Sequence, residues 1–278
     1  MSTISSNSIS TCANCGKGGE GDNDVQLKTC TACKIVKYCS RECQIAHRPQ
    51  HKKECKKRAA ALHDEKLFKQ PPQLDDCPIC MIPLPTLETG STYFTCCGKV
   101  ICCGCVHANA QLTVDMKCAF CRTPDPMDNG NIILDMINKR VAVNEPRAIY
   151  HLGTNYDNGR LGLPKDSAKA LELWHRAGEL GDAKAYHNIG VTYDRGDGVQ
   201  RDSKKATHYW ELAAMLGHVG SRCNLGADEK NTGNVNRAMK HFMIAVRSGD
   251  DMTLRNIKKL FMSGEVTKDD YARALRAH

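Results

Sequence analysis

The sequence predicts two small metal-stabilised α+β modules followed by an all-α solenoid of helical repeats. Three observations support this fold class. Sixteen of the 17 cysteines lie in the first 121 residues. Most of them come in closely spaced pairs, which is typical of metal ligands. From residue 148 onward the cysteines almost vanish, and a repeat of about 36 residues begins.

Composition narrows the class of protein further. The net charge of +8, from 39 basic and 31 acidic residues, is spread along the chain and does not indicate nucleic-acid binding. The first residues, MSTISSNSISTC, are polar, and no run approaches the roughly 18 apolar residues of a membrane helix. We therefore expect an intracellular protein of the cytoplasm or nucleus with no membrane partner. Close-set thiols bind metals there before they form disulfides.

Residues 1–11 are expected to be a disordered tail, and residues 12–55 to form the first module. Its eight candidate ligands are enough for two tetrahedral zinc sites, one with four sulfurs and one with three sulfurs and a nitrogen. A two-residue gap lets both side chains of a turn face one metal, and a three-residue gap places both on one side of a helix. The four pairs are Cys12-x2-Cys15, Cys30-x2-Cys33, Cys39-x3-Cys43 and His51-x3-Cys55.

Two further expectations concern the end of this module. Residues 40–58 have a helical pattern with an interruption expected at Pro49, so the last two ligand pairs should lie on short helices. His47 is an alternative ligand to His51, but the spacing to Cys55 favours His51. A basic helical linker is expected over 56–73, and both a solvated helix end and a phosphate-binding or nuclear-import patch remain open for it.

The string from Cys33 to Gln44, with His51 and Cys55 after it, resembles a MYND zinc finger over all of residues 12–55. Members of this family mostly bind short proline-containing peptides through a Gln after the sixth ligand, present here as Gln44, and a Trp that this segment lacks. Some belong to SET-domain methyltransferases, whose cofactor motif we do not find. The resemblance implies that Cys12, Cys15, Cys39 and Cys43 hold one zinc, and Cys30, Cys33, His51 and Cys55 the other.

The second module is expected over residues 74–126. Three pairs are evident: Cys77-x2-Cys80, Cys102-x2-Cys105 and Cys118-x2-Cys121. The fourth pair must come from Cys96 and Cys97, with His107 as a further candidate. Adjacent side chains point in opposite directions in an extended chain, so both can serve one metal only if the backbone bends, which Gly98 allows. We expect two zinc ions here and four in the chain.

This second pattern is similar to a RING finger, in an all-cysteine variant. The resemblance implies that Cys77, Cys80, Cys102 and Cys105 hold one metal, and that Cys96, Cys97, Cys118 and Cys121 hold the other. RING fingers commonly act as ubiquitin ligases by positioning a ubiquitin-conjugating enzyme, with no covalent catalytic residue. By resemblance, Ile79 and Arg122 are candidate contacts for that enzyme. The alternatives are a core residue for Ile79 and a surface charge for Arg122.

The remainder contains a repeat whose landmark residues are regularly spaced. Leu152 and Ile189 are 37 residues apart, Trp174 and Trp210 are 36 apart, and the third unit, with Phe242, is shortened to 32. Apolar residues at i, i+3 and i+4 predict a helix pair in each unit. The expected N-cap residues are Asp166, Asp202 and Asn234. Gly153 and Gly190 lie within helices and indicate close helix packing, whereas Gly181, Gly217 and Gly249 should end helices. The side chains expected to be buried are Trp174, Trp210 and Cys223.

These units are similar to SEL-one-like repeats, which are relatives of the tetratricopeptide repeat. The resemblance implies a solenoid over 148–278 that binds proteins along its concave face, a connector with a leading half-repeat helix over 127–147, and a C-terminal cap. Two functions remain open. One is a RING-type ubiquitin ligase that recruits substrate proteins through the repeats and the MYND finger. The other is a non-enzymatic adaptor that binds protein partners.

Overall fold

The computed structural model describes residues 11–18, 26–72, 75–112, 117–126 and 129–278. All but the last residue of the predicted tail lies outside these ranges. The chain divides into two compact units, Met1–Leu67 and Phe68–His278. Small cysteine-rich modules with few strands precede a helical solenoid, which confirms the predicted fold class.

The first unit is built from a short hairpin and one long helix. Strand β1 (Lys28–Thr29) pairs antiparallel with β2 (Lys37–Tyr38), and helix α1 covers Arg41–Leu67. Its one cluster of buried residues, among those the structure describes, consists of three cysteines and a tyrosine: Cys12, Cys30, Cys33 and Tyr38. Because three of these four residues are predicted ligands, metal ligands occupy the place that apolar side chains take in a larger domain.

Helix α1 is continuous through Pro49, so the predicted interruption and the pair of short helices are wrong. Proline removes one backbone hydrogen bond and usually kinks or ends a helix. Here Cys43 lies before Pro49, while His51 and Cys55 lie after it, and all three belong to metal-ligand clusters. The helix is therefore held on both sides of the proline by contacts outside its own backbone.

The second unit begins with a hairpin and a helix. Strand β3 (Ser91–Phe94) pairs antiparallel with β4 (Lys99–Cys102), with Ser91 opposite Cys102 and Phe94 opposite Lys99. Helix α2 (Cys103–Leu112) follows directly. Two isolated bridges, Asp76 with Pro83 and Lys117 with Pro124, close the chain around the first and last cysteine pairs of this module.

Within residues 129–278, nine helices form the solenoid. Residues 146–179, 183–215 and 219–246 each form a pair of contacting helices, and the second helix of each of the first two pairs packs on the first helix of the next pair. The third pair corresponds to the shortened unit found in the sequence. The helices are α3 (Gly130–Ala142), α4 (Pro146–Asn158), α5 (Ser167–Glu179), α6 (Ala183–Arg195), α7 (Ser203–Met215), α8 (Val219–Asn231), α9 (Val235–Val246), α10 (Asp251–Met262) and α11 (Lys268–Ala277).

Glycine allows the two helices of each pair to approach closely. A Cβ atom at Gly153 would lie 2.9 Å from the Cδ1 atom of Trp174, and one at Gly190 would lie 2.5 Å from the Nε1 atom of Trp210. In the third pair, Gly226 faces Phe242 in the same way. The mid-helix glycines therefore lower the intrinsic stability of their helices, but they allow a buried aromatic ring to pack directly against the helix backbone.

The helix ends agree with the predicted signals, with one difference. The Asp166 side chain accepts a hydrogen bond from the Lys169 amide, and Asp202 caps α7 in the same way. Asn234 is the N-cap residue of α9, but its side chain does not cap the helix and instead donates to Glu229. Within the described ranges, none of the helices is both long enough and apolar enough to cross a membrane.

Candidate metal centres

The ligand residues singled out in the sequence lie in four clusters of four side chains each. Within every cluster the ligand atoms lie no more than 4.8 Å apart. The clusters are Cys12, Cys15, Cys39 and Cys43; Cys30, Cys33, His51 and Cys55; Cys77, Cys80, Cys102 and Cys105; and Cys96, Cys97, Cys118 and Cys121. The structure thus brings together all sixteen candidate ligands in the interleaved arrangement that the resemblances imply.

The distances between sulfur atoms show what these clusters can bind. The Sγ atoms of Cys39 and Cys43 are 3.6 Å apart, and those of Cys80 and Cys102 are 3.8 Å apart. A disulfide needs about 2.0 Å, and every cysteine is free. A zinc ion with tetrahedral Zn–S bonds of about 2.3 Å places its ligands about 3.8 Å apart. The clusters therefore fit zinc ions rather than sulfur bridges.

The number of ligands identifies the kind of site. Each cluster supplies four protein side chains, which fill a tetrahedral coordination sphere and leave no position for water. Zinc sites of this closed type are structural, whereas catalytic zinc keeps an open position. Zinc bound here would tie together segments that are far apart in the sequence, such as Cys12 and Cys43.

Four two-residue knuckles share one backbone conformation. The residue after the second cysteine has a positive φ in each: 72° at Gly16, 59° at Lys34, 55° at Met81 and 63° at Arg122. The amide of that residue donates to the carbonyl of the first cysteine, at 2.9, 3.0, 2.9 and 3.1 Å in the same order. This left-handed position is strained for residues other than glycine, so the turn that aims both thiols at one point is held at a conformational cost.

The two histidines of the first unit have different roles. The Nε2 atom of His51 lies 3.3 Å from the Sγ atom of Cys33, inside the second cluster. The Nδ1 atom of His47 lies 3.0 Å from the Tyr38 hydroxyl, and its ring stacks on that of His51 at 5.6 Å. His51 is therefore the ligand, and His47 supports the ring of His51 and the buried tyrosine.

The adjacent pair Cys96 and Cys97 serves a single cluster because the chain turns there. The amide of Gly98 donates to the carbonyl of Phe94 at 2.8 Å, and Gly98 has a φ of 70°. The Sγ atom of Cys97 lies 3.8 Å from that of Cys118, and the Sγ atoms of Cys96 and Cys121 lie 3.4 Å apart. The bend at Gly98 thus gives two neighbouring cysteines a common target.

Two other candidates in the second module lie outside the clusters. His107 lies on α2 with its Nε2 atom 2.9 Å from the Gln111 side-chain nitrogen. The exposed thiol of Cys103 donates to the Thr89 carbonyl at 3.2 Å. Cys102 and Cys103 are adjacent, but only Cys102 takes part in a cluster.

The pKa values of the thiols show why each cluster favours a cation. Burial opposes ionisation of Cys12, but hydrogen bonds from the backbone of Cys15, Cys39 and Asn14 outweigh it and lower its pKa to about 6. Side-chain hydrogen bonds within the same cluster raise the pKa of Cys39 to about 12. One thiolate therefore forms readily and opposes the formation of the next. A divalent cation removes this opposition, because it favours the ionised form of every ligand.

The second module contacts the start of the solenoid within the same unit. The Tyr93 hydroxyl donates to Glu145 at 2.8 Å, and its ring stacks on His151 at 4.9 Å. Arg140 donates to the carbonyl of the cluster residue Cys96 at 3.0 Å. Burial and the hydrogen bond to Glu145 raise the pKa of Tyr93, while burial beside Arg147 and Lys184 lowers the pKa of His151 to about 4. The metal cluster and the first repeat are thus linked through β3.

The candidate contacts for a conjugating enzyme lie beside helix α2. Ile79 is 41% exposed and follows Cys77 in the knuckle that shares its cluster with Cys105 of α2. The exposed Arg122 donates to Asn109 of α2 at 2.8 Å. The structure therefore leaves both side chains at the surface, and Ile79 is not a core residue.

Comparison with known proteins identifies two parts of the chain. The MYND finger model matches residues 12–55. A MYND-domain protein 10 homolog of Drosophila melanogaster is 48% identical over 50 residues, which cover 15% of this chain and 11% of that protein. The SET domain and MYND-type zinc finger protein 6 of Schizosaccharomyces pombe is 43% identical over 56 residues, covering 20% and 11% respectively. The chain thus matches about a ninth of the length of either relative. The match to the family model shows that residues 12–55 form a MYND finger.

The Sel1 repeat model matches residues 146–182 and 183–218. These two segments coincide with the helix pairs α4–α5 and α6–α7, so the solenoid contains Sel1 repeats. A Sel1 repeat protein of Oxalobacter formigenes has a similar structure, with a TM-score of 0.47 and 24% identity over 53% of this chain and 65% of that one. Residues 74–126 lie outside both matched segments. The solenoid and the MYND finger together indicate protein–protein interaction.

Sequence reasoning missed the contacts that fix the second module to the solenoid. Tyr93 and Glu145 are 52 positions apart, and no local pattern marks either residue as a partner of the other. The strained positions Met81 and Arg122 could have been found, because each directly follows the second cysteine of a knuckle, as Gly16 does. The glycine at position 16 was the available signal, because it marks the residue after the second cysteine as one with a left-handed backbone.

Proposed function

We propose that this chain is a zinc-dependent protein-interaction protein whose second module acts as a RING-type ubiquitin ligase. In this proposal the Sel1 repeats and the MYND finger recruit the substrate protein. The second module contributes no covalent catalytic residue and works by holding a ubiquitin-conjugating enzyme in a productive orientation. The observation that carries the ligase proposal is the exposed surface beside α2.

That surface combines apolar area with a fixed cation. Met81 and Ile82 are 70% and 63% exposed and directly follow the knuckle that contains Ile79. Arg122 is held by Asn109 of α2. Exposed methionine and arginine side chains are both enriched in protein-binding surfaces. Zinc in the cluster that joins Cys77 to Cys105 would keep Ile79 in position relative to α2.

An autoubiquitination assay with purified chain, ubiquitin, activating enzyme and a panel of conjugating enzymes tests the ligase. We expect ubiquitin chains that are lost in Ile79→Ala and Arg122→Asn. Asparagine removes the guanidinium but tolerates the left-handed backbone, so that knuckle should survive. The matched control is Cys103→Ser, which alters an exposed side chain of the same module outside the clusters.

Absence of product with every conjugating enzyme, from protein that retains its zinc, would overturn the ligase proposal. The second candidate function, a non-enzymatic adaptor, would then remain. It is favoured by the interaction modules themselves, because a MYND finger and Sel1 repeats on one chain can bring two partners together.

We also propose that the protein works in a reducing compartment, the cytoplasm or the nucleus. Sixteen cysteine and histidine side chains are arranged as metal ligands, and all cysteines are free thiols. Imaging of a fluorescent fusion in living cells tests this proposal. Accumulation of the fusion in the secretory pathway would contradict it.

A further inference from the structure

One face of helix α1 forms the wall of an open groove of about 550 Å³ in the first unit. The residues on this face recur at helical spacing, so they point to the same side. The knuckle residues Thr31 and Ala32 and strand residue Tyr38 complete the groove. The wall residues are Arg41, Gln44, Ile45, Arg48, Lys52, Lys56 and Ala59.

The groove has an apolar anchor point and a cationic rim. Ile45 is 59% exposed, and it lies between Arg41 and Arg48 along the helix. Lys52 and Lys56 continue the row of cations. No carboxylate lines the groove, and within the described residues no ion pair is formed by any of these four cations. The zinc centre whose ligands Cys30, His51 and Cys55 line the groove would carry one net negative charge, from three thiolates and one Zn²⁺. The four cations outnumber that charge, so the groove keeps a net positive charge around an exposed apolar residue.

The spacing of the cations fits an extended peptide. From Arg41 to Lys56 the helix rises about 22 Å, at 1.5 Å per residue. An extended chain covers that length with about seven residues, at roughly 3.3 Å each. One apolar side chain of such a peptide can rest on Ile45 while acidic side chains along it meet the arginines and lysines.

The same features disfavour nucleic acid as the occupant. Proteins that bind single strands without sequence preference offer exposed aromatic rings on which bases stack. The aromatic rings that line this groove are Tyr38 and His51. Tyr38 is 3% exposed and hydrogen-bonds to His47, and His51 belongs to a metal cluster. Neither ring is available for stacking.

We infer that this groove binds an acidic peptide segment of a partner protein, with an apolar residue seated on Ile45 and flanking Asp or Glu side chains paired with Arg41, Arg48, Lys52 and Lys56. The inference rests on the proposed interaction function and names one class of partner for it. In this inference the cations of α1 make the groove prefer acidic peptides to neutral or basic ones.

Fluorescence anisotropy with the full zinc-loaded chain tests the inference. The probes are three labelled peptides of about twelve residues with the same Leu-Val-Leu centre, flanked by Glu, by Gln or by Lys. We expect the Glu peptide to bind at least about tenfold more tightly than the Gln peptide, and the Lys peptide not to bind. Binding of the Glu peptide should weaken with salt, because these charges are exposed.

Two double variants locate the charge selection. Arg48→Glu with Lys52→Glu reverses two cations of the groove and should weaken the Glu peptide by at least about tenfold. Lys53→Glu with Lys57→Glu makes the same change in net charge on neighbouring residues of α1 that do not line the groove, and should leave binding unchanged. Ile45→Asn should weaken both the Glu and the Gln peptides. Zinc content, measured for each variant, confirms that the finger is folded.

The outcomes separate this inference from the proposed function. Equal binding of the Glu and Gln peptides, lost in Ile45→Asn, would overturn the selection by charge and leave the interaction function standing. Equal weakening by the two double variants would overturn the groove as the site. Binding of none of the peptides, or displacement of the Glu peptide by an RNA or DNA oligonucleotide at lower concentration than by unlabelled peptide, would overturn the inference itself.

Discussion

Replacement of Gly190 by alanine tests the packing of the repeats most sharply. Alanine is the better helix former by about 1 kcal/mol, so the substitution should stabilise an isolated helix. In the folded solenoid the new Cβ atom would lie 2.5 Å from Nε1 and 3.1 Å from Cγ of Trp210. Carbon atoms in contact are normally about 3.5 to 4.0 Å apart, so the ring or the helix must move by about 1 Å.

The two effects have opposite signs, and their sizes predict the outcome. Trp210 is only 5% exposed, so its ring has little free space to occupy. Overpacking of a core of this kind costs about 1 to 3 kcal/mol, and overlap with several ring atoms places Gly190→Ala near the upper end. After the gain in helix propensity is subtracted, we expect a net destabilisation of about 2 kcal/mol. Gly153→Ala, whose Cβ would lie 2.9 Å from Trp174, should cost less.

Urea unfolding followed by tryptophan fluorescence measures this change. The chain has only two tryptophans, Trp174 and Trp210, and both lie in the solenoid, so the signal reports on the repeats. Gly104→Ala is the control, because a Cβ there has no neighbour within 4 Å and α2 lies outside the solenoid. In a Trp210→Phe background, where the ring is smaller, Gly190→Ala should lower the free energy of unfolding by less. A neutral or stabilising Gly190→Ala would refute close packing as the reason for the glycine.

Three further predictions concern the second module and its contact with the repeats. Tyr93→Phe removes the hydrogen bond to Glu145 but keeps the ring stacked on His151, so the free energy of unfolding should fall by about 1 kcal/mol in the same urea assay. The pKa of His151 is lowered from 6.5 to about 4 in the folded chain, so the unfolded chain binds more protons between these values. The stability that this group contributes is therefore complete above about pH 6.5 and is lost as the pH falls toward 4, by at most about 3.4 kcal/mol. Plots of the free energy of unfolding against pH for wild type and His151→Gln should differ in slope only between these pH values, and parallel plots would contradict the prediction. Finally, Cys102→Ser should lose one zinc ion by native mass spectrometry while the adjacent Cys103→Ser keeps all of them, and equal zinc contents would show that the ligand set is wrong.

The metal clusters could be predicted from the sequence because of the spacing of their ligands. A pair such as Cys77-x2-Cys80 fixes its own local turn, so few arrangements of the chain can satisfy it. The pairing of Cys96 with Cys97 depended on a single glycine, and the structure shows that Gly98 does provide the bend. The repeats were accessible for a similar reason, because the recurrence of Gly190 and Trp210 at a fixed separation reports a contact between two helices.

Other features could not be read from the sequence because they depend on contacts that no local pattern signals. Pro49 indicates a helix end by local rules, and only the ligands on both sides of it explain why α1 continues. The contact of Tyr93 with Glu145 joins two elements whose relative placement no local pattern fixes. Asn234 has the position of a cap, but its side chain donates instead to Glu229, five residues earlier in the chain. At Pro49, therefore, tertiary contacts override a local preference, and at Asn234 a neighbouring side chain competes with the cap.

Metal content measured by native mass spectrometry, before and after prolonged chelation, tests the central claim most directly. The claim is that zinc, rather than an apolar core, holds residues 12–121 in their fold. We expect four zinc ions per purified chain and, after chelation, loss of compact structure in this region while the tryptophan signal of the solenoid persists. A chain that remains compact there without metal, or one whose cysteines are joined as disulfides, would contradict the claim.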